Sequence, residues 1–126
     1  MRRTSIYIDG FAHKSPIPAA CRIGNVIASG LIRGTDRATG KQAATMEQQC
    51  TLMFQHLRAT VEAGGARVED IIKVVFWMKT LQREPVNAGW VEMFPDPKSR
   101  PARQVMEMPM EPGVLIQCEF LAVIGG

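Results

Sequence analysis

No Cys-x-x-Cys pair occurs in this 126-residue chain, whose three cysteines are Cys21, Cys50 and Cys118. The two histidines, His13 and His56, stand at no metal-ligand spacing to them. A tetrahedral zinc site and a three-histidine metal site therefore have no ligand set here. Three separated thiols in apolar runs also make no disulfide framework; they read as buried free thiols in a reducing compartment. Tryptophan occurs twice and tyrosine once, and the five phenylalanines lie mostly in apolar runs. A stacking surface for nucleic acid is not expected from that supply. Nor does charge argue for one. The net charge is +3, Lys and Arg are scattered, and the only local concentrations are Arg2-Arg3 and Lys98 to Arg103. No continuous apolar segment follows Arg2-Arg3. Neither a signal peptide nor a membrane span is expected, and the chain reads as cytoplasmic. Gly-rich phosphate loops, Gly-x-Ser-x-Gly and His-Glu-x-x-His are all missing.

What remains is the composition of one soluble domain over residues 1–126, 46% hydrophobic and 21% charged, with no repeat or linker. Ser5 to Ile8 reads as a short strand stopped by Asp9-Gly10. An extended loop to Pro18 follows, and then two strands, 20–23 and 26–28, around the turn pair Gly24-Asn25. Residues 33–43 are polar and read as surface loop. Thr45 with Gln48 signals a helix start. Met46, Cys50, Met53, Phe54, Leu57 and Val61 then recur at steps of three and four, with Gly64-Gly65 as the stop. His56 falls outside that stripe and is expected to be exposed. Ile71 to Met78 reads as a central strand. Pro85 suits the first turn of a second helix whose apolar face is Val86, Trp90, Met93 and Phe94. Strands from Arg103 and over 114–124 complete the chain. The expectation is an α+β domain: a mixed six-stranded sheet with two helices packed on one face. Eight methionines suit gap-filling in the core or a subunit interface.

Two side chains stand out chemically. In Arg100-Pro101-Ala102-Arg103, the proline fixes φ at the end of a loop, and Arg103 is the first long polar side chain of the strand. A guanidinium held there can take a carboxylate through two parallel hydrogen bonds. Glu119 interrupts the last apolar strand. By alternation it shares a face with Gln117, while Ile116, Cys118 and Phe120 share the other. That face is either half-solvated or the wall of a cleft where a carboxylate deprotonates a water.

Together these fragments resemble the RidA family, also called YjgF or L-PSP. The resemblance rests on Arg22-Ile23-Gly24-Asn25 through Ser29-Gly30; Gln48 to Gly64; Val68 to Val74; Val86-Asn87; Phe94; Pro101-Ala102-Arg103; and Gln117-Cys118-Glu119. It implies a chorismate-mutase-like fold, a homotrimer with three clefts between subunits, and hydrolysis of reactive enamines and imines to keto acids and ammonia, without metal or cofactor. It implies that Arg103 holds the substrate carboxylate and that Glu119 handles the attacking water. Gly30 and Val105 would line the site by their backbone, with Asn87 nearby in a less definite role. Ile17 stands where many active members have tyrosine, and Val105 where they often have cysteine. Three alternatives stay open: a branch acting on 2-aminomuconate, whose second carboxylate His13 and Lys14 of the 11–18 loop would serve; a carboxylate-binding trimer without turnover; and an RNA-related role.

Overall fold

A computed structural model describes residues 2–11 and 14–125. The elements are β1 (Thr4–Ile6), β2 (Ala20–Ile23), β3 (Val26–Ser29), β4 (Ile32–Arg33), α1 (Met46–Ala63), β5 (Ile71–Met78), α2 (Arg83–Met93), β6 (Ala102–Glu107) and β7 (Ile116–Val123). The strands form one sheet in the order β1-β2-β3-β7-β5-β6, with β4 pairing β7 beyond β3. Only β5 and β6 run parallel, and α2 makes the crossover between them. The sheet has seven strands rather than the expected six. Arg33, read from sequence as the start of a polar loop, forms with Ile32 a short strand that pairs with Cys118 and Gln117 of β7. A two-residue strand carries no periodicity; burial of Ile32 in the core defines it.

Register assigns the two faces. Val74 pairs with Arg103 on one side and Phe120 on the other, and Phe76 pairs with Val105 and Cys118. Neighbours in one row project to the same side. That side carries Ile27, Ile32, Val74, Phe76, Met78, Ile116, Cys118, Phe120 and Ala122, all buried with the inner stripe of α1 and with Val86 and Trp90 of α2. The opposite side carries no helix.

Both helices are fixed at their ends and at one glycine contact. The Thr45 hydroxyl accepts the Gln48 N–H at 3.2 Å, and Gly65 ends α1 at φ +87°. The last turn of α1 has no cation of its own. Arg22 of β2 supplies one, donating to Gly64 O and to Gly24 O at 2.8 Å each. In α2 Pro85 occupies the first turn, as expected, and Gly89 lies so close to Phe54 that a Cβ would overlap the ring. His56 departs from expectation: it is buried, its Nε2 2.6 Å from Thr35 O and its ring edge-on to Phe11. The loop after β4 folds back over α1. Gly34 permits that approach, since a Cβ there would overlap the Gln49 backbone. Gln49 secures it, donating to Ala43 O and Gly113 O and accepting from Leu115 N–H. Among the described residues, no helix is long and apolar enough to cross a membrane.

Candidate functional site

Arg103 is half-buried between β6 and α2. Its Nη2 donates to Asn87 Oδ1 at 2.6 Å, and its Cζ lies 5.0 Å from the centroid of the Trp90 ring. That distance places the cation against the aromatic face. Nη1 is enclosed and has no hydrogen-bond partner. Burial holds the guanidinium below its ordinary range, and the charge of Arg83 adds to that. The cation is therefore held in place but not neutralised. With Nη1 turned inward, the edge left for a ligand is Nε with the second N–H of Nη2, a side-on fork suited to a carboxylate. The entrance to β6 is tied down as well: Arg100 Nε donates to Phe94 O at 2.8 Å, at the end of α2.

β6 is the last strand of the sheet, so one of its edges is free. Met108 N–H donates to Met78 O of β5 at 2.9 Å. Carried back along a regular strand, the even-numbered residues bond to β5. The backbone N–H and C=O of Arg103 and Val105 then face the open edge. The Val105 side chain packs against the core. The backbone role expected for Val105 is thus compatible with valine at that position.

Glu119 lies elsewhere. It pairs with Val75 and points to the helix-free face, two strands from β6, whereas Arg103 points to the helix-covered face. Adjacent strands are about 4.8 Å apart, so the pair is separated by roughly 10 Å of sheet as well as by its thickness. Near Glu119 the partner strand is broken: β3 pairs with Leu121 to Val123 and β4 with Gln117 and Cys118. Between them the Ser29 hydroxyl takes the Phe120 N–H at 2.9 Å. Gly30 sits in that break and donates its N–H to Ala19 O at 2.9 Å. Its φ is not positive, and a Cβ there would make only ordinary contacts, so nothing within one chain demands glycine. Ile17, two residues before Ala19, is exposed. The predicted site residues therefore form two groups: Arg103, Val105 and Asn87 at the β6 edge, and Glu119, Gly30 and Ile17 about the break beside β7. Lys14 is exposed. His13, paired with it in the expectation for the 11–18 loop, lies outside the described residues.

Sequence reasoning missed the part of this site that Trp90 supplies from α2, since it was assigned to the core stripe alone. Its spacing of three residues from Asn87 on one helix was the available signal. Among the described residues no group of three His, Cys, Asp or Glu side chains gathers to hold a metal ion.

Residues 12–124 match the family model described as Endoribonuclease L-PSP. The chain is 35% identical over 101 residues to a 2-iminobutanoate/2-iminopropanoate deaminase of Salmonella typhimurium, covering 78% of each. Among solved structures it is similar to a putative endoribonuclease of Thermotoga maritima (TM-score 0.89, 27% identity, all of both chains). It is also similar to the YjgF gene product of Escherichia coli (TM-score 0.85, 28% identity, 95% of this chain and 98% of that one).

Proposed function

Because the chain belongs to the RidA family, also called YjgF or L-PSP, we propose that it is an imine deaminase, hydrolysing a carboxylate-bearing imine or enamine to a keto acid and ammonia without a cofactor. The observation that carries this reading is Arg103: a guanidinium held by Asn87 and Trp90, given no acidic partner, beside an unpaired strand edge. A substrate carboxylate takes the Nε/Nη2 fork, and the Val105 N–H lies on the same edge for a second contact. Fixing the carboxylate fixes the imine carbon next to it. Water adds there: a C–O bond forms, the C=N pair moves to nitrogen, and the water proton goes to a carboxylate. That proton returns to nitrogen, giving the carbinolamine; the same carboxylate then carries the hydroxyl proton to nitrogen as well, so that C=O forms while the C–N bond breaks, releasing ammonia and leaving the keto acid. Glu119 is the carboxylate proposed for the transfer. The electrophile is already reactive, so positioning and charge supply most of the rate.

Within one chain Glu119 cannot reach a substrate on Arg103. We therefore place the two in one cleft contributed by two copies, in a homotrimer. The helix-free face supports an assembly. Ile23, Val26, Leu121, Val123 and Met106 project from it, each more than a third exposed. A band of that kind marks a protein interface. The chain exposes 7645 Å², whereas a monomer of its mass exposes about 6,700 Å².

The test is ammonia release from 2-iminopropanoate generated in situ by an amino-acid oxidase, with parent, Arg103→Ala and Glu119→Gln proteins. Both variants are expected to be slow alone. Refolded together from denaturant, they should recover activity, because a mixed trimer contains a cleft with both parent residues. Mixed subunits that stay as slow as either variant argue against a shared cleft. A second reading, a trimer that binds carboxylates without turnover, is favoured by Ile17, which offers no hydroxyl. A carboxylate that binds at Arg103 while parent protein releases no ammonia would establish it.

A further inference from the structure

We propose that Gln117 and Glu119 hold one water between them, and that this is the water which adds to the imine carbon. This rests on the reading of Glu119 as the carboxylate that takes the water proton. The two are alternate residues of β7 on the helix-free face, about 6.8 Å apart along the strand. Gln117 is only 6% exposed, and a polar side chain so buried is normally hydrogen-bonded. One end of its amide is: Arg33 Nε donates to Oε1 at 3.1 Å. An arginine N–H can only donate, so the atom facing it is the oxygen, and the nitrogen is the other end. Among the described residues no acceptor takes the N–H groups of Nε2. Nor is Nε2 enclosed, unlike the orphaned Gln42 Oε1 and Arg103 Nη1. It therefore opens on the helix-free face.

The surroundings favour Glu119 as the direction of that free end. Arg33 runs on from Nε to Nη1, which meets Glu111 at 3.2 Å in the chain just before β7. Its charge lies toward the start of the strand and repels the positive N–H end of the amide. Glu119 is on the other side of Gln117, two residues further along. The neighbours of Glu119 across to β5 and onward along β7 are Val75 and Leu121, both apolar, so Gln117 is the polar one. A water that accepts from Nε2 and donates to the Glu119 carboxylate spans about 5–6 Å between the two groups, which suits alternate residues of a strand. Such a water is also correctly turned for attack. One of its protons goes to Glu119, one lone pair accepts from Gln117, and the other lone pair is left to form the C–O bond. Glutamine cannot take a proton here, so it orients the water without competing with the base. Arg33 acts on the water only through Gln117; it is a positioning residue.

The experiment joins a crystal structure of the parent protein to ammonia-release kinetics on 2-iminopropanoate for parent, Gln117→Met, Arg33→Met and Arg33→Lys. The crystal is expected to show one ordered water within hydrogen-bond distance of both Gln117 Nε2 and a Glu119 carboxylate oxygen. Gln117→Met keeps the bulk and loses the donor. Its kcat should fall about five- to tenfold, as for one hydrogen bond, with KM within about twofold of parent because Arg103 still holds the carboxylate. Arg33→Met should lower kcat less, and Arg33→Lys, which returns a donor to Oε1, should recover part of it. A purely structural Gln117 would move KM and the urea midpoint along with kcat, and that result counts against the proposal. A Gln117→Met protein with parent kcat, or a crystal with no shared water, overturns it, while ammonia release by the parent keeps the deaminase reading standing. A shared water in a parent protein that releases no ammonia supports the water site and removes the deaminase reading. Should Gln117→Met fail to fold, the crystal and the Arg33 pair decide: Arg33→Met with parent kcat overturns the proposal.

Discussion

Replacing Arg103 by lysine and by methionine separates what the guanidinium does for a ligand from what it does for the fold. In Arg103→Lys the charge remains but the planar fork does not, so one of two parallel bonds to a carboxylate is lost. A hydrogen bond to a charged group contributes about 1.5–3 kcal/mol, which corresponds to a fall in kcat/KM of about 10- to 150-fold. The carboxylate is bonded to the carbon whose C–N bond breaks, so losing the fork misplaces the reacting atoms and the fall is expected in kcat as well as KM. Arg103→Met removes both bonds and the charge. Its effect on stability is expected to be small, for a reason visible in the structure. The native side chain gains the Asn87 bond but encloses Nη1 without a partner, a penalty of about 1–3 kcal/mol that offsets the gain. A methionine, whose chain ends where Nε lies, keeps the apolar stem and carries neither term. Ammonia-release kinetics and urea unfolding of the same preparations read the two effects. The expected result is an Arg103→Met protein within about 1 kcal/mol of parent stability with kcat/KM below that of Arg103→Lys. An Arg103→Lys protein with parent kinetics would remove the fork. A destabilised Arg103→Met protein would make Arg103 a structural residue.

Three further outcomes concern the scaffold. Burial pushes His56 below its ordinary 6.5, outweighing the Thr35 carbonyl. The fold thus favours neutral imidazole: its contribution is complete above about pH 6.5 and declines as pH falls toward the lowered value. Urea midpoints from pH 5 to 8 should show that slope in the parent and a flatter profile in His56→Gln; parallel profiles would refute it. Asp70 moves the other way for a carboxyl, lowered chiefly by the Arg67 N–H donated to it at 2.9 Å. Its contribution is complete above about pH 4 and lost as pH drops through the depressed value. Asp70→Asn should lose part of the acid-denaturation limb, and an unchanged limb would count against the assignment. Gly89→Ala drives a methyl into the Phe54 ring. Overpacking of this kind costs about 1–3 kcal/mol, read as a lower urea midpoint, and a parent-like midpoint would mean the two helices separate freely.

The parts of this fold that sequence makes legible are those fixed by neighbours in the chain. The six apolar residues of α1 repeat at helical steps between Thr45 and Gly64-Gly65, and all six are buried. His56 and Gln49 lie on the same helix but are buried by a loop from elsewhere, through the close approach at Gly34. No period along α1 encodes that. Gln117 shares its face with Glu119, as alternation requires. It is buried rather than half-solvated because Arg33 of β4 lies over it, Nε to Oε1 at 3.1 Å. In the site, the placement of Arg103 at a strand entrance could be read from the proline before it. Its relation to Glu119 could not, because that depends on the register of β5 against both neighbours. A one-residue slip of either would reverse the faces.

A free strand edge beside an unpaired cation looks at first like two separate liabilities. An open edge invites another strand, and proteins commonly block it with charge or proline. β6 has both: Pro101, without an N–H, stands at its start, and the Arg103 guanidinium lies beside the edge, held there by Asn87. These deter an extended chain, which would have to displace the side chain and pair with a residue lacking a donor. They do not deter a small anion, which needs only the Nε/Nη2 fork and an N–H or two. Arg100 adds to the selection by binding the Phe94 carbonyl at the end of α2, so the entry to β6 cannot drift away from the helix that carries Asn87. The same residues that keep the edge unpaired would leave it open for the proposed ligand, with Asn87 within α2 and the Phe94 carbonyl at its end fixing part of the geometry. A sheet that buried this edge against another element would be safer and would have no room there for the carboxylate we propose.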